Sequence, residues 1–129
     1  MVLIVGGAYA GKAAYAKARF GYTDAEMLDG AVCDPQAVCT AKCVQNYHLL
    51  VKRLLADGQD TDSFTKALCE ENPGLVVLLD EIGCGIVPLE KADRIWREAV
   101  GRAGCALARA ADTVIRLNCG IPTALKGAL

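Results

Sequence analysis

The sequence predicts an α/β protein built on a small, mostly parallel sheet, and two stretches carry that prediction. Residues 2–5 (VLIV) and 75–79 (LVVLL) are short runs of consecutive apolar residues. Unbroken runs of this length are typical of parallel strands that are covered by helices on both faces. Segments with helical periodicity separate the runs, so we expect a three-layer sandwich of helices, sheet and helices.

The composition limits what such a protein could be. With 129 residues, the chain is expected to form a single domain over residues 1–129. It is 53% hydrophobic and 22% charged with a net charge of −1, which is typical of a globular protein and does not favour a nucleic-acid partner. The first apolar run is too short for a signal segment or a membrane span, so we expect a cytoplasmic protein without a membrane partner.

The other elements follow in chain order. A helix is predicted over residues 11–20, and a second from Asp34-Pro35, a pair typical of helix starts, to about residue 56. Further helices are predicted over residues 63–71 and 88–111. A last strand is predicted over residues 113–117, followed by a tail. Residues 26–29 fit either a short strand or a turn, so the sheet is expected to have three or four strands.

A glycine-rich stretch joins the first strand to the first helix. Gly6, Gly11 and Lys12 stand at the spacing of the phosphate-loop pattern, but Ala13 replaces the expected Ser or Thr. In such loops backbone N–H groups surround the phosphates of a nucleotide and the lysine reaches the β- and γ-phosphates. The alternative is a tight turn that binds nothing. We therefore predict a P-loop NTPase-like fold that binds ATP or GTP, with phosphate-binding residues Gly6, Gly7, Ala8, Tyr9, Ala10, Gly11, Lys12 and Ala13.

Carboxylates follow two of the expected strands. Asp80 and Glu81 come directly after the run 75–79, and Asp29 follows the short apolar stretch before it. The carboxyl edge of an open α/β sheet is where ligands bind. These side chains could hold Mg²⁺ through water or orient a nucleophile, or Asp80-Glu81 could be a solvated loop and Asp29 part of a turn.

The cysteines and the one histidine raise the question of a metal site. Cys39 and Cys43 are four residues apart and close to His48, so they could bind a metal if the segment is helical, although a second ligand pair is missing. His48 shares a helical stripe with Val44 and Val51, which favours a packed core residue over a nucleophile. The cysteines are expected to be reduced, and most of them to be small buried side chains.

At residues 81–88 (EIGCGIVP) the chain resembles the "NEVGxGIVP" signature of the bifunctional adenosylcobinamide kinase/adenosylcobinamide-phosphate guanylyltransferases. Residues 94–102 resemble the family's "RxFRDxAGRxN", residues 108–117 its "AAxADEVxLV", and residues 120–126 its closing "GxPxxLK". Residues 6–12 (GGAYAGK) are similar to its "GGARSGKS". The resemblance implies phosphorylation of adenosylcobinamide and then transfer of GMP to it, in assembly of the cobalamin nucleotide loop.

The departures from this family leave three hypotheses. Ala13 stands where the family has a serine after the loop lysine. The chain is also several tens of residues shorter than the family, and the missing part includes the segment with the histidine that becomes guanylylated. The first hypothesis is a kinase-type enzyme in which Lys12 and Glu81 are catalytic and Asp29 and Asp80 hold Mg²⁺. The second is a non-catalytic nucleotide-binding or accessory protein of the corrinoid pathway. The third makes His48 the guanylyl acceptor. A homo-oligomer would cover any apolar surface that the shortening exposes.

Overall fold

A computed structural model describes residues 1–83, 85 and 87–129 of the chain. Its strands are β1 (Val2–Gly6), β2 (Met27–Asp29), β3 (Cys43–Gln45), β4 (Val76–Asp80), β5 (Thr113–Asn118) and β6 (Ile121–Lys126). Its α-helices are α1 (Lys12–Phe20), α2 (Tyr47–Ala56), α3 (Thr61–Glu71) and α4 (Lys91–Ala110). Short 3₁₀ helices occupy Asp24–Glu26 and Pro35–Thr40.

The strands form one mostly parallel sheet in the order β2-β3-β4-β1-β5-β6. Strands β1 to β5 are parallel to their neighbours, and β6 pairs with β5 in the antiparallel direction. The predicted α/β fold is therefore confirmed, with β1 and β4 side by side in the middle of the sheet. None of the helices in the described part of the chain is long and apolar enough to cross a membrane.

The expected count of three or four strands is wrong, because the tail and part of a predicted helix are strands. The tail forms β6, which returns along β5 through a two-residue turn at Cys119 and Gly120. Both turn residues have a positive φ, 51° and 77°, as the common hairpin turns require. Glycine at the second turn position was the local signal for this hairpin.

The predicted helix over residues 34–56 is interrupted by strand β3. Asp34 does cap a helix, since its Oδ1 accepts from the backbone N–H of Gln36 at 3.1 Å. That helix is a short 3₁₀ segment ending at Thr40, and β3 then lies between β2 and β4. Val44 is thus a strand residue and does not share a helical stripe with His48. A three-residue strand has too little periodicity to be recognised, and its burial in the sheet decides its conformation.

Two apolar clusters cover the two faces of the sheet and give the three layers. Helices α2, α3 and α4 pack on one face, around Leu50, Leu68 and Leu107. Helix α1 packs on the other face, where Ala16 meets Ile4 and neighbouring strand residues. Consecutive residues of β1 thereby enter different clusters, which explains why this strand is apolar throughout.

Candidate phosphate-binding cleft

The glycine loop occupies the carboxyl end of β1 and packs against the turn between β5 and β6. A Cβ at Gly6 would lie 2.7 Å from the backbone oxygen of Leu117, so only glycine fits there. Gly11 has a φ of 94°, and a Cβ on it would be 3.3 Å from the Cα of Gly120. The N–H of Gly120 donates to the carbonyl of Ala10 at 2.9 Å. The loop conformation is therefore set by close backbone contacts.

A cleft of about 450 Å³ opens between the loop and the ends of two neighbouring strands. The loop and the first turn of α1 form one wall, and residues from the ends of β3 and β4 form the other. Helix α1 has no acidic residue in its first turn and begins at the cleft, so the positive end of its dipole is not neutralised there. The lining residues are Ala8, Tyr9, Ala10, Gly11, Lys12, Ala13, Ala14, Gln45, Asn46, Leu78 and Asp80.

Lys12 is the positive group of the cleft and is only 8% exposed. Its Nζ lies 2.7 Å from Oδ1 of Asp80, which is the one carboxylate among the described lining residues. The same ammonium donates to the carbonyls of Gly7 at 2.7 Å and Gly6 at 3.3 Å. Three contacts match the three hydrogens of an ammonium group, so Lys12 is fixed towards the loop and the end of β4.

His48 lies beside the same carboxylate but does not line the cleft. Its Nε2 is 3.5 Å from Oδ2 of Asp80, and the residue is 6% exposed. Burial lowers the pKa of His48 and the nearby Lys12 lowers it further, whereas Asp80 raises it. Within the described part of the chain, Nδ1 of His48 is buried without a hydrogen-bond partner. His48 is therefore packed in the interior on helix α2, as the sequence led us to expect.

Asp29 and Glu81 do not line the cleft. Asp29 ends β2, as the strand interpretation expected, and its Oδ1 accepts from Ala31 N at 2.9 Å and from Asn46 Nδ2 at 3.0 Å. Glu81 follows β4, and its carboxylate lies 3.2 Å from the guanidinium of Arg116. Ala13 does line the cleft, with a methyl group where the pattern has a hydroxyl. Cys84 and Ile86 of the segment 81–88 lie outside the described residues.

Sequence reasoning missed two polar residues of the cleft, Gln45 and Asn46. Both were predicted to lie inside a long helix, whereas Gln45 ends β3 and Asn46 precedes α2. Because β3 is parallel to β4, their carboxyl ends meet at the same edge of the sheet. The signal that could have found them is Asn46 itself, since asparagine is favoured directly before a helix.

The cysteines give no metal centre in the described part of the chain. There, no group of three or more His, Cys, Asp or Glu side chains is arranged to hold a metal ion. Cys39 belongs to a 3₁₀ helix and Cys43 to β3, so the helical spacing on which that reading depended is wrong. Cys43 is buried, and burial raises the pKa of its thiol to about 12.

A parallel sheet with a glycine loop, a following helix and a lysine at its edge defines a P-loop NTPase-like α/β fold. The family model for cobinamide kinase / cobinamide phosphate guanyltransferase matches residues 39–125, about two thirds of the chain. The chain belongs to this family. The glycine loop lies before the matched range, so the family assignment and the loop geometry are independent observations. A comparison with curated proteins found none that matches.

Proposed function

We propose that the chain binds a nucleoside triphosphate, ATP or GTP, in the cleft and transfers its γ-phosphoryl group to adenosylcobinamide. Family membership supports a cobinamide kinase/guanyltransferase-like role in cobalamin biosynthesis, with nucleotide and cobinamide as substrates. The observation that most supports a kinase is the position of Lys12, whose buried ammonium lies at the start of α1 beside Asp80. Kinase-type transfer depends mainly on positioning and charge neutralisation, which this cleft can supply.

In this proposal the loop residues, Gly6 to Ala13, surround the phosphates with N–H groups, and Lys12 stabilises the transferred group. The bond between the γ-phosphorus and the oxygen that bridges it to the β-phosphate breaks. A bond to an acceptor oxygen forms, and the nucleoside diphosphate leaves. Glu81, close to Arg116, would orient the acceptor or take its proton.

Mg²⁺ fits the donor set of the cleft. Magnesium is commonly held by one or two carboxylates together with substrate phosphates and water. Asp80 supplies such a carboxylate in the cleft, whereas Asp29, the second carboxylate predicted from the sequence, lies outside the lining and would act on the ion through a residue of the cleft. When bound, the ion would neutralise charge on the phosphate oxygens.

One assay tests the kinase reading. The protein is incubated with labelled ATP or GTP and Mg²⁺, with and without adenosylcobinamide. We expect labelled phosphorylated corrinoid from the wild type and a loss of at least about 100-fold in Lys12→Ala, since removing one such charge contact commonly costs 10²–10³ in rate. Absence of nucleotide binding by the wild type would refute the phosphate-loop interpretation.

Two alternative functions predict different results in the same assay. Ala13 favours a non-catalytic nucleotide-binding or accessory protein of the corrinoid pathway, for which nucleotide would bind without turnover. The full bifunctional reaction would instead require His48 to carry a guanylyl group, and labelled protein that disappears in His48→Ala would support it. The 6% exposure of His48 argues against the latter, because an acceptor must be reached by its substrate.

A further inference from the structure

Asn46 stands directly before α2 but does not use its side chain as residues at this position usually do. Asparagine before a helix normally accepts a hydrogen bond from the first turn, which contributes about 1 kcal/mol. Here the Asn46 side chain makes no such bond. Its Nδ2 instead donates to Oδ1 of Asp29 at 3.0 Å, and its backbone has a left-handed φ of 56°. Asparagine is one of the few residues that adopt this backbone conformation readily, so the left-handed turn leaves the side chain free to bond to Asp29.

The backbone around this pair is closely constrained. The N–H of Gly30 donates to the carbonyl of Gln45 at 2.8 Å, and Arg53 Nη1 donates to the carbonyl of Gly30 at 2.8 Å. A Cβ on Gly30 would lie 2.5 Å from the backbone oxygen of Asn46, so the two segments touch. Contacts among the end of β2, the end of β3 and helix α2 therefore fix the position of Asn46.

Asn46 lines the cleft with Lys12 and Asp80, whereas Asp29 does not. The bond to Asp29 orients the amide, because only its NH₂ group can donate to a carboxylate. The amide oxygen, Oδ1, is left as an acceptor. An amide oxygen in a cleft that also contains the carboxylate of Asp80 suits a hydrated divalent cation, whose water molecules donate, better than a phosphate oxygen, which only accepts.

We propose that Asn46 supplies a second oxygen contact to the hydrated Mg²⁺ that accompanies the nucleotide, and that Asp29 is a positioning residue acting through Asn46. This inference rests on the proposed function, since it concerns the same cleft. It gives the cation a contact that compensates for the missing hydroxyl at Ala13. It also accounts for a carboxylate at the end of β2 that lies outside the cleft.

The test measures binding of a non-hydrolysable nucleoside triphosphate by calorimetry, with Mg²⁺ and with EDTA, and Mn²⁺ binding by electron paramagnetic resonance. Asn46→Gly removes the side chain but tolerates the left-handed backbone. We expect it to weaken cation-dependent binding about tenfold or more, with little change in EDTA. Gln59→Ala removes an exposed side-chain amide that does not line the cleft, so this variant is the control and should bind as the wild type does.

Two substitutions at Asp29 separate positioning from direct ligation. Asp29→Asn keeps an oxygen that accepts from both Ala31 and Asn46, so binding should stay close to that of the wild type. Asp29→Ala should weaken cation-dependent binding as Asn46→Gly does, and the double variant should be no weaker than either alone. If Asn46→Gly does not fold, this pair at Asp29 still decides the question.

The opposing results are distinct. An Asp29→Asn variant as weak as Asp29→Ala would make Asp29 itself the ligand and overturn the inference. Wild-type affinity in a folded Asn46→Gly would overturn it as well. Both results leave the proposed function standing, provided that Lys12→Ala abolishes binding. No nucleotide binding by the wild type, or binding that is unchanged in Lys12→Ala, would refute the proposed function and this inference together.

Discussion

At the scale of single residues, the two adjacent glycines of the loop have different roles. Gly6 lies against the backbone oxygen of Leu117, whereas a Cβ on Gly7 would have no atom within 4 Å. The first contact involves backbone on both sides, so it cannot be relieved by turning a side chain. This difference allows a matched comparison within one loop.

We expect Gly6→Ala to destabilise the protein by about 1–3 kcal/mol, the range for overpacking a close contact. Gly7→Ala should change the free energy of unfolding by less than about 0.5 kcal/mol. Urea denaturation followed by circular dichroism measures both. Equal stability of the two variants would contradict the assigned contact between the loop and β5.

His48 makes the stability of the fold depend on pH. Its pKa is lowered in the folded chain, mainly by burial and then by Lys12, against an opposing effect of Asp80. The unfolded chain therefore binds a proton at a pH where the folded chain does not. Stability from this residue is present above the ordinary histidine pKa, about 6.5, and is lost as the pH falls below it.

We expect the free energy of unfolding to fall between pH 7.5 and pH 5.5 in the wild type, and to fall less in His48→Gln, which cannot bind the proton. Urea denaturation under reducing conditions at the two pH values measures the difference. Identical pH dependence of the two proteins would show that His48 is not held neutral by the fold.

At the scale of elements, Asn72 connects the end of α3 to the segment before β3. Its Nδ2 donates to the carbonyls of Val38 at 3.0 Å and Ala41 at 2.9 Å. These bonds hold the chain where it leaves the 3₁₀ helix and enters β3. They therefore help to determine where Gln45 and Asn46 reach the cleft.

We expect Asn72→Ala to destabilise the protein by about 1–3 kcal/mol, because in a partly buried place the carbonyl of Ala41 loses the Asn72 donor and that of Val38 keeps only the N–H of Ala41. Gln59→Ala, which removes an exposed amide, is the control and should have almost no effect. Thermal unfolding of both variants measures the difference. A neutral Asn72→Ala would mean that water replaces both bonds.

At the scale of the whole molecule, the loop begins at Gly6, which pairs with both β4 and β5 in the middle of the sheet, so ligand binding at the loop should stabilise the folded chain as a whole. A nucleotide at 100 times its dissociation constant adds about 2.7 kcal/mol to the free energy of unfolding if it binds only the folded chain. We expect ATP or GTP with Mg²⁺ to raise the melting temperature of the wild type but not of Lys12→Ala. A shift of equal size in both would place the nucleotide elsewhere.

The oligomeric state is a further prediction at this scale. Ile121 and Leu125 on the edge strand β6 are exposed, 68% and 60% respectively. An unpaired edge with apolar side chains can associate with another chain. We expect sedimentation equilibrium to detect self-association of the wild type, and a double variant with Lys at both positions to reduce it. A wild type that remains monomeric at all concentrations would refute the homo-oligomer.

The sequence by itself determined the α/β class, the strands β1, β4 and β5, and the loop with Lys12. These features are visible in short stretches of sequence. A strand covered on both faces appears as an unbroken apolar run, and a position that touches another backbone appears as a glycine. The family was also recognisable, through the motif at residues 81–88 and those that follow it.

Only the tertiary structure decided which polar groups share the cleft. Strand β3 is three residues long, and its conformation depends on pairing with β2 and β4, which are distant in sequence. The structure thus places Asn46 in the same cleft as Lys12 and Asp80. Asp29 lies outside that cleft and is hydrogen-bonded to Asn46. Neighbours across a parallel sheet are set by strand order, and no local periodicity records that order.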